Sequence, residues 1–492
     1  MDVGSPDNQQ SGGTGNAWAI ESQFGRLNYS FANKYLVEAV ARRDGSSRFP
    51  ATRKYAFFPS AAIGYRLGQE SFILDNLTWI DELKLKASIG VLGNQNIGNY
   101  DYQNTLDVGA PYNYSFGGNI SAGAARTTIV DPNLHWESTR TKDVGVEVGL
   151  FKGLLNASAT YFDRHTYDIL VSPGGSVSST LGFAVGRQNS GRLSNQGWEF
   201  VLGHAKSIGS FSYNLNGNFS IINNKVLDLG VGNVTQPNGL VGNGSNLFIG
   251  FPIQMYYGYL ADGLYVDQAA IDAYQEGNKS AAIQPKPQPG DIRYKDISGP
   301  NGVPDGKVDA TYDRTLLGSS IPKYTFGFNL GATYKGFDFA MLLQGVAGVQ
   351  NWQTEHIGQA FLNTGSIQKW QMEERWTPDN PRADAGYPRL EILGPAGSPN
   401  TLLSSFWITD GAFLRGKNIQ FGYTIPVSWG QKVGVSSLRV YASGDNLFTI
   451  SNYRPGWDPE NGSAGGNATR YVSNGVYYPL LKVYTFGLNL RF

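Results

Sequence analysis

The chain has 492 residues, with 39 Lys and Arg against 39 Asp and Glu, 26 Phe, 28 Tyr, 10 Trp, 63 Gly and no Cys. Zero formal charge gives no reason to expect nucleic acid or an anionic surface as partner, and the lack of Cys excludes a disulfide framework, a thiolate metal site and a thiol nucleophile. Charged residues reach only 16%, below the roughly 25% usual in soluble domains, yet no run approaches the about 18 apolar residues of a membrane-spanning helix.

Residues 1–16 have a loop composition, rich in Asp, Gly, Ser, Asn and Gln, and no signal peptide follows Met1. A secreted protein needs one, so the expectation is that an N-terminal portion is missing. From there on, period-two alternation dominates. Leu83, Leu85, Ala87, Ile89 and Val91 alternate with Lys84, Lys86, Ser88 and Gly90; Val144, Val146, Val148 and Leu150 alternate with Asp143, Gly145, Glu147 and Gly149. The segments 211–221 and 324–334 repeat the pattern, with Phe, Tyr, Leu and Ile on one set and Asn, Ser, Thr and Gly on the other. An extended chain puts each set on its own face. A soluble sandwich would fill the polar face with Lys and Glu. The amide- and hydroxyl-rich face seen here, set against an apolar face ending in aromatics, is the pattern of a transmembrane barrel with a polar lumen.

Connections alternate in length. Very short turns occur at Ala32-Asn33-Lys34, Lys152-Gly153 and Lys335-Gly336, and long polar segments at about 93–137, 166–190, 223–322, 349–412 and 450–480. Loops this long are unusual in compact soluble domains, and their regular alternation with tight turns places all turns at one end and all loops at the other. The fold class is therefore all-β, an antiparallel up-and-down transmembrane β-barrel of about 13–14 strands with short periplasmic turns and long extracellular loops.

Candidate sites lie in those loops. Asp296, Ser298, Asp305, Asp309 and Asp313 place alternate oxygen side chains around Gly306, as a calcium loop requires, although Lys307 interrupts the series and no bidentate Glu closes it; the competing expectation is a cluster of Asp-stabilised turns. Trp352, Trp370, Trp376 and Trp457 are candidates for stacking on sugar, against the alternative that they pack loop on loop. Tyr161, Trp198 and Trp407 read as interface-belt aromatics. His135, His165, His204 and His356 have no metal spacing and no evident carboxylate partner. The last strand presents Tyr484, Phe486, Leu488, Leu490 and Phe492 on one face and stops on the aromatic, resembling the signal read by the barrel-assembly machinery of Gram-negative outer membranes.

Several motifs converge. Ala41-Arg42-Arg43-Asp44-Gly45-Ser46-Ser47-Arg48-Phe49 followed by Phe57-Phe58-Pro59-Ser60, the Leu85–Asn94 strand, Trp136-Glu137, Asn195-Gln196-Gly197-Trp198-Glu199, Gly444-Asp445-Asn446-Leu447-Phe448-Thr449 and Asp458-Pro459-Glu460 resemble the SusC/RagA family of TonB-linked outer-membrane receptors from about residue 24 to the C-terminus. The resemblance implies a 22-stranded barrel with an N-terminal plug, a TonB box pulled by the TonB complex, a SusD-like lid lipoprotein, outer-membrane lipid around the wall, and import of a glycan or peptide cargo. Plug and TonB box have no counterpart in these residues, so residues 1–492 read as the C-terminal part of such a barrel. In a complete receptor the strand 482–492 would pair with a strand outside this chain; pairing with residues 17–31 would instead close a small barrel. The rival readings are an outer-membrane enzyme of protease or lipase type, which needs a Ser/His or carboxylate cluster at the loop rim, and a soluble β-rich adhesin or lectin.

Overall fold

The computed structural model describes residues 15–492 apart from 174–176, 277–279, 282, 393–397, 431–433, 455, 461–471 and 474. Thirteen strands form one sheet in sequential order, every neighbour antiparallel: β1 (Ile20–Phe31), β2 (Tyr35–Ser46), β3 (Tyr55–Arg66), β4 (Ile80–Asn94), β5 (Glu137–Leu150), β6 (Leu155–Val171), β7 (Gln188–Ile208), β8 (Phe211–Asp228), β9 (Tyr324–Tyr334), β10 (Phe337–Ala347), β11 (Phe413–Ile425), β12 (Ser437–Ser451) and β13 (Val483–Arg491). Within the described residues β1 pairs only with β2 and β13 only with β12. The sheet is open, and the small closed barrel does not form.

Register carries the alternation across the whole sheet, because a slip of one residue would flip a strand's apolar set to the other face. Tyr29 faces Val37, Val37 faces Ile63 and Ile63 faces Ala87. Farther along, Phe219 faces both Phe200 and Phe326, and Leu330 faces both Leu215 and Met341. Val440 then faces Leu488. One continuous apolar face results, and the large side chains on it point outward: Leu27 and Phe486 are 68% and 84% exposed. The opposite face is mostly polar, with isolated apolar residues such as Val40, Val201 and Leu342 among its Asn, Ser, Thr, Lys and Glu side chains.

Aromatic rings bound the apolar face at two levels. Tyr161, Trp198, Phe200, Phe219 and Tyr324 form a chain of contacts with centroids 5.3–6.5 Å apart. At the short-turn end Tyr35 stacks on Tyr65 at 5.1 Å and Phe337 meets Tyr423 at 4.5 Å. The 11 residues of β9 start and end on Tyr; at about 3.4 Å per residue and a tilt of about 45° they span roughly 25 Å, the height of the lipid-facing band of an outer-membrane barrel.

The turns follow from backbone chemistry. Lys335 and Gly336 both have positive φ (47° and 88°), the type I′ geometry whose twist matches that of the flanking strands. Gly197 of β7 is required for a different reason: a Cβ there would lie 1.9 Å from the Ile221 carbonyl oxygen and 2.8 Å from the Phe162 ring.

Buried apolar residues concentrate outside the membrane span. Connections 229–323 and 348–412 share a core of Tyr259, Leu264, Ile292, Tyr294, Val308, Trp370, Trp376, Tyr387 and Trp407. Backbone bonds stitch the two together: Leu264 N–H donates to Ala383 O at 2.9 Å, Tyr259 N–H to Leu403 O at 3.0 Å, and Arg389 N–H to Gly290 O at 2.9 Å. A smaller core of Phe49, Phe58, Ile97, Leu134 and Trp136 seals the outer ends of β2 to β5.

Candidate functional site

The polar face of the sheet is the first component. On β4 to β6 it is charged: Lys84 and Lys86 reach Glu147 at 3.1 and 2.7 Å, and Ser88 Oγ donates to Asp143 at 3.0 Å. A concavity of about 700 Å³ runs along β1 to β7, with Lys84, Lys86, Asp143, Thr160 and Glu199 in its lining. From β8 onward amides and hydroxyls take over. Asn216 stands opposite Asn329, Gln420 opposite Ser443, and Ser443 opposite Thr485. The Arg439–Asp338 pair in this sector is mutually satisfied, with Arg439 Nε donating to Asp338 Oδ2 at 2.9 Å. Such a surface presents hydrogen-bonding amides and hydroxyls, its Arg439–Asp338 charges already paired.

The second component is the loop unit above it. Asp291 is buried and accepts from Arg389 Nε at 2.6 Å and from Asn400 Nδ2 at 2.8 Å, while Asn400 Oδ1 accepts from Ile292 N–H at 2.8 Å. Burial without these partners would be costly; with them, the network fixes how the two loops meet. Burial raises the Tyr265, Tyr274 and Tyr387 phenols, the last two to about 12, so all three stay neutral; Tyr274 donates to Tyr294 O at 3.3 Å and Tyr387 Oη accepts from Ala360 N–H at 2.9 Å.

A third component fastens the last outer loop to the wall. Arg415 of β11 is 0% exposed and holds Asp458 Oδ1 and Glu460 Oε2, each at 2.5 Å, with Nε on Thr449 Oγ1 at 3.0 Å. Lys417 Nζ reaches Glu460 at 2.8 Å. The Asp458-Pro459-Glu460 motif and Thr449 of the preceding motif are thus brought together on one guanidinium, whose planar fork suits two carboxylates. The other motifs are also fasteners: Glu137 accepts from Leu170 N–H at 2.9 Å and Asn94 Nδ2 at 2.7 Å, Trp136 Nε1 donates to Lys54 O at 3.0 Å, and Gln196 Nε2 donates to Asp163 Oδ1 at 3.0 Å.

The acidic loop uses its carboxylates on backbone amides. Asp313 is fully buried and accepts from Ile297, Ser298 and Asp309 N–H groups; Asp296 accepts from Gly306 N–H, Asp305 from Lys307 N–H, and Asp309 from Thr311 and Tyr312 N–H. Desolvation raises the Asp313 carboxyl above its ordinary value even against those three donors. Asp305 and Asp309 form Asx turns, Asp296 and Asp313 tie distant backbone amides together, Ser298 takes part through its backbone N–H, and among the described residues no group of three or more His, Asp or Glu side chains is placed to hold a metal ion.

Of the four loop tryptophans, Trp370 and Trp376 lie in the loop core and Trp352 packs against it. Trp376 is 8% exposed and donates to Val266 O at 3.2 Å. Trp370 and Trp457 both donate to Gln368 Oε1, at 2.9 and 2.7 Å, and Arg454 lies over the Trp370 ring at 4.1 Å. Trp370 and Trp376 thus pack loop on loop, while Trp352 and Trp457 are half-buried. Tyr161 and Trp198 sit in the belt, but Trp407 does not: it is buried in the loop core and donates to Asn400 O at 2.6 Å. Two histidines have the carboxylate partners that looked absent, His165 with Asp163 at 2.8 Å and His135 with Asp168 at 3.6 Å. The C-terminal set Tyr484, Phe486, Leu488, Leu490 and Phe492 lines the outward face of β13, free on one edge.

A family model described as TonB dependent receptor-like, beta-barrel matches residues 2–447. The chain belongs to the TonB-dependent receptor β-barrel family. Its wall accordingly sits in the outer membrane. TonB-dependent receptor P26 of Formosa agariphila is 32% identical over 482 residues, covering 96% of this chain and 46% of that protein; the receptor SusC of Bacteroides thetaiotaomicron is 29% identical over 488 residues, covering 96% and 44%. The structure of the RagAB peptide transporter superposes with a TM-score of 0.70 at 25% identity, covering 96% of this chain and 48% of that one. These similarities identify a SusC/RagA-type receptor barrel, and the chain spans about half the length of the relatives it matches.

Proposed function

We propose that this chain supplies the C-terminal part of the wall and the outer loops of a TonB-dependent importer that binds a glycan or peptide and passes it inward by energised transport rather than by chemistry. The single observation behind this reading is the two-faced open sheet: one face apolar between aromatic belts, the other polar and concave beneath an ordered loop unit. Free strand edges in hydrocarbon leave backbone groups with no partner, at several kcal/mol each, so β1 and β13 call for further strands to complete a larger barrel, with the plug and TonB box carried by the rest of the receptor. A SusD-like lipoprotein would cap the loop unit, the barrel-assembly machinery would read β13, and the TonB complex would drive release. The name of the TonB-dependent receptor SusC supports the TonB-dependent role, and that of the RagAB peptide transporter supports a peptide as one class of cargo. The enzyme reading draws no comparable support, since neither histidine–carboxylate pair has a serine hydroxyl hydrogen-bonded to it among the described residues. Disruption of the gene should abolish growth on one oligosaccharide or peptide source and leave monosaccharide and amino-acid growth intact; unchanged growth and uptake across both classes would refute the reading.

A further inference from the structure

Four of the connections at the short-turn end are tight turns, but the one between β11 and β12 runs through 426–436 and contains a helical turn, Val427–Gly430. Between this connection and the strand ends lies a cavity of about 200 Å³, lined by Ile425, Pro426, Val427, Trp429, Val435 and Leu438 with Ser436 and Ser437 at its margin. The register decides which side of the wall it is on. Ile425 pairs with Leu438, which pairs with Leu490, and two residues on from Ile425 the same face holds Tyr423 and Val440. That is the lipid-facing set, level with the Phe337–Tyr423 contact of the inner belt. Trp429 stands beside it 73% exposed. A ring so exposed is unfavourable in water and favourable in the interfacial zone of a bilayer, where its apolar body and N–H meet different environments. The connection is held in place by Ser436, whose N–H and Oγ both donate to Arg491 O, at 2.8 and 2.9 Å.

We infer that this cavity is a lipid seat that takes a segment of one acyl chain of a membrane glycerophospholipid, with Trp429 at the headgroup level. Continuity with the lipid-facing surface identifies the occupant: the cavity opens where hydrocarbon already covers the wall, and its lining is almost wholly apolar. The other long connection at the short-turn end, 67–79 between β3 and β4, provides a built-in comparison. It also exposes apolar side chains, Phe72, Leu74 and Trp79, but its Ile73 is buried, and it serves as the control surface.

The test is photocrosslinking of the intact protein in vesicles of phosphatidylethanolamine carrying a diazirine on one acyl chain, with adducts mapped by mass spectrometry. Adducts should concentrate on 425–429 and 435–438. Val435→Phe, which fills the cavity, should lower the yield there about tenfold, the effect of removing roughly two methylene contacts, while adducts on 67–79 and heat-modifiable gel migration stay unchanged. Trp429→Ala, which leaves the cavity open, should reduce the yield less. Adducts spread evenly over the lipid face, or a yield at 425–429 and 435–438 unaltered by Val435→Phe, would overturn the proposal.

Discussion

The wall and the loop unit obey opposite rules. In β1 to β13 the large apolar side chains point out and the amides point in; in 229–323 and 348–412 the apolar side chains are buried and the polar ones surround them. Composition is not the difference, since both regions are aromatic-rich. The difference is the solvent: the wall is folded against hydrocarbon on one face, whereas the loop unit stands in water and must build a core of its own. A substitution should therefore change sign of tolerance between the two regions, and its effect should be read by separate probes, gel migration for the wall and limited proteolysis for the loops.

The largest effect is expected in the loop core. Trp407→Ala removes a buried ring that also donates to Asn400 O, a change worth about 3–5 kcal/mol; the loops should become protease-sensitive while heat-modifiable migration of the wall persists. Loss of migration as well would mean the two regions are one cooperative unit. Arg415→Met leaves the Asp458 carboxylate uncompensated at the wall and Glu460 with Lys417 alone, a cost of about 3–5 kcal/mol when one partner of a buried pair is deleted. Their connection, 452–482, should be cleaved first, and cleavage elsewhere in the loops first would contradict the fastening role. Leu330→Arg on the lipid face should cost about 2–4 kcal/mol near the bilayer midplane, reducing insertion into the membrane and sparing loop protection once inserted.

The smallest effect is a pH dependence. The Asp313 carboxyl is raised by desolvation, so the folded loop holds that proton more tightly than the unfolded chain. Its contribution to stability is fully present below the ordinary carboxylate range and is lost as pH rises through the raised value. Loop protection in the wild type should thus fall with pH across that acidic window, and Asp313→Asn should flatten the slope. A protection profile that rises with pH in the wild type, or an unchanged slope in the variant, would contradict it.

How much of this was legible beforehand follows the same division. The predicted segment 324–334 is the observed β9, Tyr324–Tyr334, and 211–221 begins the observed β8, because a strand between lipid and a polar lumen writes its two environments into alternate residues. The loop core was not legible. Its contacts join positions as distant as Leu264 and Ala383, which no local period encodes, so Trp407 was assigned to the belt and the loops were read as polar. The density of Tyr at 256–259 and the buried Tyr265 and Tyr294 were the available sign that these loops fold. The His165–Asp163 pair could have been found: two residues apart on a strand, both side chains share a face. The His135–Asp168 pair could not, as it joins a loop to the end of β6.

Orientation of the wall is the claim on which the rest stands, and the absence of Cys from the sequence allows it to be measured directly. Single cysteines placed along β9 in intact outer membranes, read with a membrane-impermeant maleimide and with a lipid-soluble one, should alternate residue by residue: Thr325→Cys, Asn329→Cys and Thr333→Cys labelled from water, Phe326→Cys, Phe328→Cys and Leu330→Cys only by the lipid-soluble reagent. Uniform labelling, or water access to the Phe326, Phe328 and Leu330 positions with protection of the others, would contradict a wall with lipid on one face and a polar lumen on the other.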